Sequence, residues 1–268
     1  MDIAGRTPFG RTGVLVSRVG IASGYGVPAT AMERAYHEYG VNYFYISPLL
    51  NLSGMVTAIR NLAPGCRDDL FIILARPYFG GFGGRSLEKY VDRWLAKLGL
   101  QWLDLLFQDV RKPFKPSLME GIRSLKEKGK VRFAGISSHD RPLFPKVARG
   151  EVSTPSDFLH IRYNVVHAGA EQDVFPHLPA DNRPGIGIYT ATCWRKPLRD
   201  KNMPEGERPL TAAECYRFFL SHPDEHVCLT APKTAGQMEE NFRALARGAL
   251  DEGEMERVRR IGKYIYGR

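Results

Sequence analysis

Eight short apolar runs rich in β-branched and aromatic residues recur along the chain, and segments of helical period separate them. The runs are Val19–Ala22, Asn42–Ile46, Leu70–Ala75, Leu103–Gln108, Val131–Ile136, Phe158–Tyr163, Gly185–Tyr189 and Val227–Leu229. Parallel strands need a crossover between them, usually a helix, so this alternation predicts a parallel sheet covered by helices. Ser86–Leu98 is one such crossover, with Leu87, Tyr90, Val91, Trp94, Leu95 and Leu98 on one face. Ser117–Lys128 is another: Leu118, Ile122 and Leu125 share a face, and a basic last turn leads into Gly129. Eight strand and helix units within 268 residues match a (β/α)8 TIM barrel, taken as a single domain over 1–268, better than an open doubly wound sheet. No G-x-G-x-x-G follows the first run. Gly80–Gly84 is glycine-rich but follows the third run without the Lys-Ser/Thr ending of a phosphate loop, and reads as a βα loop at the barrel rim. Thr7–Arg18 reads as an N-terminal β-hairpin turning at Arg11-Thr12-Gly13, placed to plug the barrel's lower end.

Composition sets the class of partner. At 43% hydrophobic and 25% charged, the chain has the makings of a large buried core. No apolar run approaches the roughly 18 residues of a membrane span, and the first residues do not read as a secretion signal, so a cytoplasmic location without membrane contact is expected. Cys66, Cys193, Cys215 and Cys228 lie far apart without C-x-x-C spacing, which points to reduced thiols and to no metal site. The net charge of +9 is spread over small basic groups, among them Arg195, Lys196, Arg199 and Lys201, with no long run or nucleic-acid signature. A phosphate on a small molecule is the expected target, nucleic acid is not, and the chain is expected as a monomer or weak homo-oligomer.

Ordered motifs add a family resemblance. Phe9-Gly10-Arg11-Thr12-Gly13 with Val16-Ser17-Arg18 and Gly20 is similar to the opening of the aldo-keto reductases. The likeness continues through Gly40–Phe44, Arg67–Leu70, Leu125–Arg132, Gly135–Ser138, Ile161–Asn164, Leu220–Pro223, Pro232–Thr234 and Met238–Asn241. It implies NADP(H)-dependent hydride transfer on a barrel, normally with an Asp, Tyr, Lys and His tetrad. Here Tyr45 stands at the Asp position, Leu50 or Asn51 at the Tyr position, Ala75-Arg76 at the Lys position and Asp109 at the His position.

The cofactor half of the pattern is retained. By resemblance Lys233 and Thr234 hold the 2'-phosphate of NADP, Gln237 and Asn241 the adenosine side, Ser138 and His160 the carboxamide, and Tyr189 stacks on the nicotinamide. An ammonium and a hydroxyl at a helix N-terminus also suit a phosphomonoester on chemical grounds alone. Tyr45, Arg76 and Asp109 end adjacent strands, so the expectation is that they meet in the barrel mouth, with Arg76 lowering the pKa of a substitute acid, Tyr45. His139 is the other candidate acid. The readings carried forward are a divergent NADP(H)-dependent oxidoreductase acting on a small molecule, a non-redox barrel enzyme (lyase, isomerase or cyclase), and an inactive NADP(H)-binding protein. Tyr78, Phe79, Phe82 and Trp194 suggest an aromatic mouth.

Overall fold

The computed structural model describes residues 5–23, 25–47, 51–76, 84–109, 116–222 and 227–267. Strands β1 (Arg6–Pro8) and β2 (Leu15–Ser17) form the antiparallel hairpin, joined through a 3-10 turn over Gly10–Thr12. Eight parallel strands follow: β3 (Val19–Ala22), β4 (Tyr43–Ile46), β5 (Phe71–Arg76), β6 (Leu103–Asp109), β7 (Val131–Ser138), β8 (Phe158–Arg162), β9 (Gly185–Tyr189) and β10 (Val227–Thr230). They pair in chain order, and β10 closes the barrel onto β3. The connections carry α1 (Ala29–Tyr39), α2 (Ser53–Cys66), α3 (Gly84–Leu98), α4 (Pro116–Glu127), α5 (Leu143–Ala148), α6 (Ala170–Asp173), α7 (Ala212–Leu220) and α8 (Ala235–Leu245). Helix α9 (Glu252–Tyr266) ends the chain and starts at a capping box of Asp251 and Glu254.

The eight-stranded barrel expected from the sequence is therefore present. Its strands outrun the apolar runs where polar residues continue the ladder. β7 reaches Ser138 because Ser137 and Ser138 still pair with His160 and Ile161 of β8.

Strand alternation splits the apolar residues into two cores. Phe44, Ile46, Ile72, Leu74, Leu106, Leu159 and Ile161 join the helices in the outer core. Tyr43, Phe71, Ile73, Ala75, Leu105, Phe107 and Phe158 fill the barrel itself, together with Phe9 from the hairpin. Phe9 is 1% exposed, and its ring lies 5.7, 5.2 and 5.4 Å from those of Tyr43, Phe71 and Phe158, which begin their strands. The hairpin thus plugs the lower end. The first position of β9 must be glycine, since a Cβ on Gly185 would approach the Phe9 ring to 2.7 Å. Asn42, fully buried, fastens the plug: its Oδ1 accepts from the Ser17 N–H at 2.8 Å, and its Nδ2 donates to the carbonyls of Leu15 and Asp69 at 3.0 and 2.8 Å.

Cys193, Cys215 and Cys228 are buried and Cys66 half-buried, all as free thiols. Among the described residues no helix is long and apolar enough to cross a membrane.

Candidate active site

In a (β/α)8 barrel the residues that end the strands converge at the C-terminal mouth. The centre of this mouth is His160, on the inward side of β8, with its ring centroid 5.5 Å from Tyr45, 5.1 Å from Phe107, 5.6 Å from Phe158 and 4.9 Å from Tyr189. The cage is possible because the facing position on β9 is Gly187, where a Cβ would approach the Phe158 ring to 2.7 Å and the His160 ring to 3.3 Å. Among these rings the imidazole is neutral: burial pushes its pKa down from 6.5 to about 3. Its Nε2 is buried without a hydrogen-bond partner among the described residues. An orphaned polar atom at that depth carries a desolvation cost of about 1–3 kcal/mol until a partner arrives.

The chain of contacts runs on to the rim. Tyr189 donates its hydroxyl to the carbonyl of Ser138 at 3.2 Å and lies 3.4 Å from Nδ1 of exposed His139, whose ring stands edge-on to it at 5.8 Å. Ser138 is 2% exposed, and its hydroxyl accepts from the Asp140 N–H at 3.1 Å. Five residues singled out from the sequence, Tyr45, Ser138, His139, His160 and Tyr189, are brought together.

Arg76 is not brought to them. It follows Ala75 on β5, and Ala75 faces the barrel, so Arg76 faces the helices on the side of Ile72 and Leu74. Its guanidinium donates to the side-chain oxygen of Gln108, the outward neighbour on β6. Burial lowers its pKa, partly offset by Tyr90 of α3. The expected Tyr45–Arg76 contact fails on side-chain parity, since strand ends in one register still alternate between two faces. The backbone of Asp109 pairs with Ser137, and its side chain lies outside the described residues. So do Leu50, Tyr78, Phe79, Phe82 and most of the glycine-rich loop. Asn51 is exposed, and its Oδ1 accepts from the N–H and hydroxyl of Ser53 at 3.2 and 3.1 Å where α2 begins.

Lys233, Thr234 and Gln237 form one exposed cluster at the start of α8. The Thr234 hydroxyl caps the helix by accepting from the Gln237 N–H at 3.2 Å, and the Gln237 side-chain oxygen accepts from the Lys233 N–H at 2.9 Å. Asn241 is buried one turn further on. The group combines a lysine ammonium with an N-terminal helix dipole, which suits an anion.

Two features of the mouth escaped the sequence reading. Arg162 ends β8 on the same face as His160 and pairs in register with Tyr189; the Ile161–Asn164 motif contains it without giving it a role. Asn164, 1% exposed, ties two mouth loops together: its Oδ1 accepts from the N–H groups of Val166 and His167 at 3.1 and 2.9 Å, and its Nδ2 donates to the Thr190 carbonyl at 3.0 Å.

No protein-family model matches the sequence, and no curated protein does. Solved structures match along almost the whole chain. An aldo-keto reductase from Bacillus halodurans in its holo form is 18% identical, with 96% of each chain covered and a TM-score of 0.73. An aldo/keto reductase from Klebsiella pneumoniae in complex with NADP and acetate is 16% identical, with 97% of this chain and 96% of the other covered and a TM-score of 0.75. A Klebsiella pneumoniae aldo-keto reductase in complex with NADPH gives 18%, 97%, 95% and 0.73. At these identities the likeness establishes what the strand order already gives: the chain has the fold of these barrels.

Proposed function

We propose that this chain is an NADP(H)-dependent oxidoreductase of aldo-keto reductase type with an altered active site, residues 1–268 working as one unit. The observation that carries the reading is His160: a neutral imidazole, buried with Nε2 unpartnered among the described residues, beside Tyr189 in the mouth of a barrel shared with nicotinamide-binding proteins. A carboxamide both donates and accepts, so it is suited to an uncharged imidazole. Bound there, NADP(H) would supply or take up the hydride.

The chain's own residues do the rest. Tyr189 offers a ring face, with its hydroxyl fixed by Ser138, for a flat heterocycle to stack on. Lys233 and Thr234, backed by Gln237 and Asn241, hold a phosphate at the start of α8 and so favour NADPH over NADH. Tyr45 lies against His160 at the barrel axis and is the proton donor to the substrate oxygen; His139, at the rim beside the Tyr189 hydroxyl, is the second candidate. Arg76 takes no part in tuning Tyr45, because it faces away.

Titrating the purified protein with NADPH and NADH, followed by nicotinamide emission, tests the reading. NADPH binding the more tightly supports it, and failure to bind either nucleotide sinks it. A functional Tyr45 acid then requires NADPH oxidation with a carbonyl substrate that Tyr45→Phe abolishes while NADPH still binds.

A further inference from the structure

Many arginines of this chain are neutralised where they lie. Arg6 pairs with Asp69, Arg67 and Arg132 with Asp104, Arg141 with Asp173, Arg217 with Glu254, and Arg259 with Glu171. Others pair with no carboxylate among the described residues, and the mouth holds one of these beside an unpaired lysine. Arg162, half-buried at the end of β8, forms no ion pair with a described residue, and neither does Lys196 on the loop after β9. Both act on the same place: each pushes down the pKa of His167 and opposes the burial of the Cys193 thiol. The third cation near His167, Arg141, is already paired with Asp173 at 2.7 Å.

The loop that brings Lys196 there is held in an uncommon conformation. Thr190, Cys193, Trp194 and Arg195 have φ of 57, 45, 54 and 64°, all left-handed and none glycine. Each such residue costs on the order of 1 kcal/mol or more, so the surroundings must impose the shape. The turn is closed by Cys193 N–H to Thr190 carbonyl at 2.7 Å and Arg195 N–H to Thr192 carbonyl at 2.8 Å. Asn164 anchors its start to the loop after β8. The result exposes 74% of Trp194, two residues before Lys196.

We propose that Arg162 and Lys196 form an oxyanion-binding site at the barrel mouth, which takes a carboxylate or phosphate carried by the substrate, with Trp194 placed to lie against the substrate's body. This rests on the oxidoreductase reading for the word substrate and names its class: a small molecule whose reacting group reaches Tyr45 while an anionic group engages Arg162. A half-buried guanidinium beside a second cation gains most from a bidentate anion, which supplies the missing counter-charge with matched geometry. A bound dinucleotide's own pyrophosphate has the same chemistry and is the competing source of the anion.

Calorimetric titration with benzoate, phenyl phosphate and neutral benzamide, without nucleotide, tests this independently of turnover. Both anions should bind at least about 10-fold more tightly than benzamide. Arg162→Met should remove roughly 10- to 100-fold of the anion affinity, Arg162→Lys should restore part of it, and Lys196→Met, at an exposed position, should cost severalfold. The affinity for NADPH should stay within about twofold in all three variants. Equal binding of benzoate and benzamide overturns the proposal, as does Arg162→Met weakening NADPH while sparing benzoate, which assigns the cation to the pyrophosphate. A wild type that holds the anions but ignores NADPH strikes the oxidoreductase reading and leaves the oxyanion site standing.

Discussion

The two ends of the barrel are built from the same kinds of residue to opposite effect. At the lower end Phe9 closes an aromatic cluster, Asn42 satisfies every group it touches, and Arg67 and Arg132 share the buried carboxylate of Asp104. At the mouth an aromatic cluster surrounds His160, Asn164 again ties backbone to backbone, and an arginine again ends a strand, yet Nε2 of His160 and the guanidinium of Arg162 lack counterparts among the described residues. The lower end has unsatisfied groups of its own, since Thr7 Oγ1, Arg11 Nε and Nη2, and Arg67 Nε are buried without hydrogen-bond partners among the described residues; the difference is that those of the mouth lie at the end where a (β/α)8 barrel takes its ligand.

Mutations that act on one end should therefore leave the other unmoved. Phe9→Ala removes the plug's buried ring from between Tyr43, Phe71 and Phe158, and should cost about 3–5 kcal/mol in chemical denaturation. NADPH affinity of the folded fraction should be unchanged, and a large loss of affinity would show that the two ends are coupled. At the mouth, Tyr45→Phe should lower turnover of the cognate carbonyl substrate by about 10²- to 10⁴-fold, with stability and NADPH binding nearly intact. Unchanged steady-state rates would move the acid to His139.

Lys233→Ala should weaken NADPH by roughly 10- to 150-fold and leave both NADH binding and the melting temperature nearly untouched, because the side chain is exposed. Equal losses for the two nucleotides would remove the 2'-phosphate from this lysine.

The remaining effect is a slope with pH. Unfolded, His160 titrates near 6.5; folded, near 3. Between those values the unfolded chain binds the extra proton, so the stability that a neutral His160 allows above pH 6.5 is lost as pH falls, at about 1.4 kcal/mol per unit. His160→Gln should remove this part of the acid slope in denaturation measured from pH 7 down to pH 4. Parallel slopes for the two proteins would mean that the imidazole is hydrated in solution.

The split between what was legible and what was not follows from range. Eight apolar runs with helical spacers specify eight parallel strands because hydrophobic period and crossover length are local properties, and the hairpin was equally plain from Arg11-Thr12-Gly13. Tyr45 could be placed at the mouth because it nearly ends a strand, and strand ends share a destination in a barrel, whereas His160, Tyr189 and Ser138 were reached through the family resemblance. Which face a strand-end residue takes depends on where its strand enters the ladder, and a shift of one residue exchanges inside for outside. That is why Ala75 lines the barrel and Arg76 does not. The unpaired state of Arg162 was beyond the sequence for a related reason. An arginine's neutralisation depends on which of 29 acidic residues folding carries to it, and only the tertiary structure brings Asp173 to Arg141 and leaves Arg162 without one among the described residues.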